Sequence, residues 1–204
     1  MSDALAEQFT THPQRRTADM LGMWIFLASE TMMFGALFFV FLAYRAGAGY
    51  GAGTASRNFD MWSGGLNTAV LLTSSLAMAL AVIAAREERQ RAAMVRLIIT
   101  MILGALFLGL KIHEWTREWT EGIRPHIGPT EGPSGQQLFF NFYFVATGLH
   151  AVHLIVGILL VGGLTIKVAR HTAQEMTVTA VGLYWHFVDV VWVFLYPVLY
   201  LVGR

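Results

Sequence analysis

Residues 138–166 read LFFNFYFVATGLHAVHLIVGILLVGGLTI, without one Lys, Arg, Asp or Glu. About 20 apolar residues suffice for a helix to cross a hydrocarbon core ~30 Å thick, so this run is long enough to span a membrane and to tilt or project beyond it. Lipid offers no partner to backbone N–H and C=O groups, so the segment must pair them internally, as a helix. A run so uniformly apolar does not match the alternating ten-residue pattern of a membrane barrel.

Four further runs of the same kind flank it, at 20–44, 64–85, 94–110 and 180–202. The expected fold is therefore all-α, an integral membrane bundle of five transmembrane helices, with residues 1–204 forming a single transmembrane helical domain. Composition agrees. Of 204 residues, 55% are hydrophobic and 13% charged, against roughly 25% charged in soluble domains. A net charge of +1 and the lack of a basic, aromatic-interleaved cluster point away from nucleic acid. Zero cysteines remove disulfides, iron–sulfur clusters, thiolate metal sites and covalently attached haem. The polar stretch 2–19 has no short apolar core, so no cleavable signal peptide is read there.

The connections are polar. Residues 45–63 are Gly-rich, and Arg86-Glu87-Glu88-Arg89-Gln90-Arg91 form a short charged turn. Residues 111–137 read as the longest loop, with Pro125, Pro129 and Pro133, and 167–179 close the set. With five spans, the N-terminus shares a side with the second and fourth loops. That side carries eight Lys and Arg residues and the other six. The bias, with its dense cluster in one short loop, places the N-terminus inside and the C-terminus outside.

Within the spans, Ala69, Thr73, Ala77, Ala81 and Ala85 recur every four residues. Small side chains at that spacing predict a smooth stripe for close helix packing. Trp62, Trp115, Trp119, Tyr184 and Trp185 are expected at the membrane interfaces. Pro197, inside the last run, removes a backbone donor and leaves the carbonyl of Val193 to find another partner.

Ionisable groups inside apolar runs are costly and usually paired. Glu30 lies about ten residues into the first run, ~15 Å deep at 1.5 Å per residue. It is read as an interhelical hydrogen-bond partner, a proton-handling group or an ion ligand. His150 and His153 share a helical face at i and i+3, and His186 and Asp189 repeat that spacing. Such faces suit either a metal site or hydrogen bonds across the bundle core, or the holding of a lipid headgroup. Two carboxylates are few for a dinuclear site. His113 and His126, placed in the polar loop, are poor haem ligands, and no redox cofactor is expected on the chain.

Three stretches carry a resemblance. Trp24-Ile25-Phe26-Leu27-Ala28-Ser29-Glu30 resembles the helix with the buried carboxylate of haem–copper oxidase subunit III. Residues Phe144 to His153 match that family's FxxTGxHxxH pattern, and Tyr184-Trp185-His186-Phe187-Val188-Asp189-Val190-Val191-Trp192 resembles its terminal segment. They occur in family order. Leu110-Lys111-Ile112-His113-Glu114-Trp115 also resembles the end of the corresponding family helix. The chain looks like the short, five-helix form, lacking the first two helices of longer members.

The resemblance implies a non-catalytic subunit of a proton-pumping oxygen reductase in a bacterial inner membrane, N-terminus cytoplasmic and C-terminus periplasmic. It implies haem and copper on partner subunit I rather than here, contact with subunit I, and subunit II and small subunits in the same complex. It further implies phospholipid in a cleft, support of proton uptake and turnover stability, and polar-core roles for Glu30, His150, His153, His186 and Asp189. No catalytic residue is carried over. The electron donor is cytochrome c or a quinol. Two rival readings stand beside it: an accessory protein of a nitric oxide reductase, and a stand-alone ion or metal transporter using the same five residues.

Overall fold

The computed structural model describes residues 12–48, 61–120 and 134–201. They form five long helices: α1 (His12–Ala48), α2 (Met61–Arg86), α3 (Gln90–Thr120), α4 (Ser134–Ala169) and α5 (Glu175–Tyr196), the last continuing into a π-helical turn, Pro197–Leu201. All five are long and apolar enough to cross a membrane, and no strand occurs among the described residues.

Helices α2 to α5 form a ring: α2 packs on α3, α3 on α4, α4 on α5, and α5 closes back onto α2. Helix α1 stands outside the ring and leans on α4 and α5. Only 17% of its most apolar window is buried, against 56% for α5. Among the described side chains of α1, the buried ones are Leu27, Phe34 and Phe41, a stripe repeating every seven residues that a single contact seam requires. Phenyl rings make that seam. Phe41 stacks on Phe142 at 4.1 Å between ring centres, and Phe34 meets His153 edge-on at 5.3 Å.

The ring is organised around flat side chains from α5. Trp185 is fully buried. A Cβ at Gly104 of α3 would lie 2.7 Å from its indole, and one at Gly157 of α4 would lie 3.2 Å away. Its Nε1 donates to Ser74 Oγ of α2 at 3.2 Å. One side chain thus touches all three other helices of the ring, because two glycines let backbone approach the indole. Tyr184 is likewise buried. Both side chains are turned into the bundle rather than toward its outer surface. Trp62, at 83% exposure, does lie outside the core.

The small-residue stripe of α2 is only partly an interface. Ala81 is buried, but Ala69 and Thr73 are exposed. A four-residue step turns a helix by about 40° more than a full turn, so a strict four-residue repeat walks around it. The buried face instead runs through Asn67, Leu71, Ser74, Met78 and Ala81.

The helices outrun the apolar stretches, and the clearest correction is at the end of α3. Its helix does not stop at residue 110 but continues to Thr120. Lys111, Glu114 and Glu118 are buried on its inner face, and His113 is an exposed helical residue, not a loop residue. The connection expected from 111 onward is shortened accordingly; His126 and the prolines at 125, 129 and 133 lie outside the described residues.

Two turns are tight. Glu88 (φ 58°) ends α2 and His171 (φ 57°) ends α4. Each is followed by a residue whose N–H reaches back five positions, Arg89 to Ala84 O and Thr172 to Lys167 O, at 2.9 Å in both cases. These are Schellman-type ends with a non-glycine in the left-handed position. At Pro197 the chain changes from α to π register. A wider register continues a helix past a residue with no N–H to donate.

The packing of Trp185 makes Gly104→Ala a sharp test. The added methyl forces the indole or a helix to move, at a cost of ~1–3 kcal/mol. Gly163, with nothing within 4 Å of an added Cβ, is the control. Thermal unfolding of the purified protein in detergent should fall for Gly104→Ala and hold or rise for Gly163→Ala.

Candidate functional site

Glu30 reaches out of α1 toward α4, where His153 Nε2 lies 3.0 Å from its Oε2. The other ring nitrogen, Nδ1, is 2.8 Å from the carbonyl oxygen of Leu149. A carbonyl only accepts, so Nδ1 carries a proton. One further proton is then shared between Nε2 and Oε2: the pair is either imidazolium with carboxylate or imidazole with carboxylic acid, and a single hop along the 3.0 Å contact converts one into the other. Tyr184 of α5 donates to the carbonyl of His153 at 3.1 Å, so three helices meet at this point.

The pair is not sealed in. The side chains retain 19% and 15% exposure, and both line a groove of about 450 Å³ with Met23, Phe26, Val152 and Leu160. The rest of the groove's wall is chiefly apolar, with Tyr184 beside the pair. A second groove, of about 420 Å³, lies along the contact of α1 with α5 and is lined chiefly by Phe34, Phe38, Phe187 and Phe194. Both follow from α1 standing outside the ring: one helix resting on a two-helix seam leaves a furrow on each side.

The other expected polar residues are not gathered there. His150, although one turn from His153, points into the ring. It is buried between Phe107, 5.7 Å away and edge-on, and Trp192, 5.1 Å away. Neither of its nitrogens has a hydrogen-bond partner. His186 Nδ1 lies 2.7 Å from Ser75 Oγ of α2. Asp189 is buried with neither carboxyl oxygen hydrogen-bonded. The i, i+3 spacing therefore puts neighbours on nearby faces without making them face one ligand. Among the described residues, no group of three or more His, Cys, Asp or Glu is placed to hold a metal ion.

A polar cluster lies elsewhere, and the sequence reading passed over it. Lys111 Nζ donates to Glu114 Oε1 at 3.0 Å, to Tyr143 OH at 2.9 Å and to Tyr200 OH at 2.8 Å. Tyr200 OH donates to Glu114 Oε1 as well. Tyr143 OH is 3.0 Å from Glu114 Oε1 and 2.8 Å from Glu118 Oε1. All five side chains are buried, drawn from α3, α4 and the π turn. The signal was present: positions 111, 114 and 118 repeat at i, i+3 and i+7, the inner face of a helix that continues. Charge was read as the end of the span, when it marked the span's polar seam.

With the geometry in hand, comparison with known proteins decides the family. Residues 6–204 match cytochrome c oxidase subunit III. The chain belongs to that family. Similar relatives include a probable quinol oxidase subunit 3 of Staphylococcus epidermidis, 36% identical over 90% of this chain and 88% of the relative. A probable quinol oxidase subunit 3 of Staphylococcus aureus is 33% identical over the same shares. The chain is accordingly a multi-pass membrane subunit that associates with other oxidase subunits. Haem and copper are absent from subunit III in this family.

The Lys111 cluster carries a stability prediction. Removing one partner of a buried ion pair typically costs ~3–5 kcal/mol, because the other charge is left uncompensated. Lys111→Met should lower the amount of folded chain recovered from membranes and its unfolding temperature well below those of Gly163→Ala.

Proposed function

We propose that this chain is the non-catalytic subunit III of a proton-pumping haem–copper oxygen reductase, packed on subunit I and holding phospholipid in the groove beside Glu30. The observation that carries this reading is the Glu30–His153 pair, 3.0 Å apart, on the wall of an apolar groove between α1, α4 and α5. Acyl chains suit the groove's Met, Phe, Val and Leu walls. The pair offers a proton-sharing contact within the hydrocarbon depth, where an ionisable residue marks function more often than packing. That combination supports both halves of the role: lipid retention, which stabilises the complex through turnover, and support of proton uptake into subunit I. His150, His186 and Asp189 act in this reading as polar core positions of the ring, with subunit II and smaller subunits completing the complex.

The membrane is the bacterial inner membrane, with the N-terminus cytoplasmic and the C-terminus periplasmic. Burial of Lys111 within the bundle removes one of the six basic residues counted on the outer side and strengthens the inside bias of the rest. The relatives are named for quinol oxidation, which favours a quinol over cytochrome c as donor to the complex. The same names favour an oxygen reductase over the nitric oxide reductase reading.

A complex isolated through this chain in mild detergent should show haem bands and consume oxygen with a quinol. In Glu30→Ala the haem content should stay at the wild-type level, while proton uptake slows or activity decays sooner during turnover. Wild-type proton stoichiometry and lifetime in that variant would remove Glu30 from the role.

A further inference from the structure

We infer that the groove beside Glu30 binds a membrane-soluble hydroquinone, whose ring O–H donates to Glu30 Oε1. This rests on the reading of the groove as a lipid site and deepens it. A phospholipid fills the groove with an acyl chain alone, and the hydroquinone takes that chain's place at the level of the pair.

Depth decides the class of head. Glu30 is the middle residue of the span Thr17–Ala43, and His153 is one residue short of the middle of the span Phe139–Ala169. The pair therefore sits at the centre of two membrane-crossing helices, ~15 Å from either edge of a hydrocarbon core ~30 Å thick. A charged phosphate or ammonium headgroup stays at those edges, because a charge carried into hydrocarbon is costly. What a phospholipid brings to the pair is methylene, which donates no hydrogen bond. A neutral head with O–H groups reaches this depth without bringing a charge.

The pair holds an open acceptor for such a head. His153 Nε2 engages Glu30 Oε2, while Glu30 Oε1 makes no hydrogen bond to any described residue. The Glu30 side chain keeps part of its exposure and lines the groove. With the shared proton on either side of the Nε2–Oε2 contact, Oε1 remains an acceptor.

The walls fit a flat ring with an apolar tail. Phe26 of α1 and Tyr184 of α5 both line the groove. Their ring centres are 6.1 Å apart and their planes 29° from parallel, and aromatic faces favour an offset-stacked ring. The Tyr184 hydroxyl is tied to the carbonyl of His153, which holds its ring in place. Val152, Val156 and Leu160 continue the wall along α4. The volume of about 450 Å³ falls in the ~300–1,000 Å³ range of small-molecule sites. The furrow on the other side of α1 has aromatic walls too, but no carboxyl group among its lining residues. Binding at Glu30 forms a hydrogen bond only; no electron transfer is assigned to this chain.

The test is photolabelling of the intact complex in mild detergent with a photoactivatable short-chain 1,4-benzoquinol, followed by peptide mapping of this chain. Label should concentrate between Met23 and Glu30 and between Val152 and Leu160. Glu30→Leu should lower it roughly tenfold or more, the effect of losing one hydrogen bond to a charged acceptor. Val156→Trp fills the groove from a half-exposed position without touching the pair, and should lower it as well. Ile102, 61% exposed on α3, reports partition into surrounding lipid and detergent. Label as strong at Ile102 as in the groove, or groove label unchanged by both variants, overturns the site. Label that falls in Val156→Trp but not in Glu30→Leu overturns the hydrogen bond to Oε1. Retained phospholipid and oxygen uptake with the quinol are measured on the same samples. No groove label while both persist overturns the hydroquinone site and leaves the proposed function standing. Groove label in a complex that takes electrons only from cytochrome c upholds the site and removes the quinol as donor.

Discussion

A polar side chain inside a bundle surrounded by lipid has to find its partner on another helix, and α5 is where most of that requirement is met. Trp185 gives its indole N–H to Ser74, Trp192 gives its own to Thr68 at 3.1 Å, His186 bonds Ser75, and Tyr200 joins the Lys111 cluster. Three of these contacts run to α2 and one to α3. They close the ring, because α5 and α2 are distant in sequence and have no short turn to hold them together. Apolar burial alone gives little preference for one helix partner over another when lipid is as apolar as the side chains. Hydrogen bonds and close fit, as at Gly104 and Gly157 beside Trp185, supply the specificity.

Helix α1 obeys a different rule. It brings one stripe of aromatic residues and one carboxyl group to the α4–α5 seam and leaves the rest of its surface outward. Such a helix is anchored along a line. The furrows on either side of that line, one with the Glu30–His153 pair on its wall and one wholly apolar in its main lining, are the geometric consequence. The polar groove and the polar cluster around Lys111 are thus separate features with separate causes. The first comes from an added helix. The second lies within the ring, between α3, α4 and the π turn.

The cluster also shows why charge is a poor boundary marker in a membrane helix. In sequence, Lys111, Glu114 and Glu118 look like loop residues because each is unfavourable in hydrocarbon on its own. Together with the Tyr143 and Tyr200 hydroxyls they form one hydrogen-bonded network, and the helix continues through them. In the same way Tyr184 and Trp185 were expected at an interface from residue type, while their partners on α2, α3 and α4 draw them into the core.

The sequence by itself determined that this chain crosses a membrane as five helices, that Glu30, His153 and Asp189 lie within them, and that its motifs belong to subunit III. Those conclusions rest on hydropathy, on length and on local order, all properties of consecutive residues. Only the tertiary structure decided which groups meet. It paired Glu30 with His153 but sent His150 into an aromatic cage and His186 to Ser75. It also assembled the Lys111 cluster from residues up to 89 positions apart. Helical spacing gives the face a side chain leaves from, whereas the partner it reaches depends on how neighbouring helices are rotated and staggered against that face.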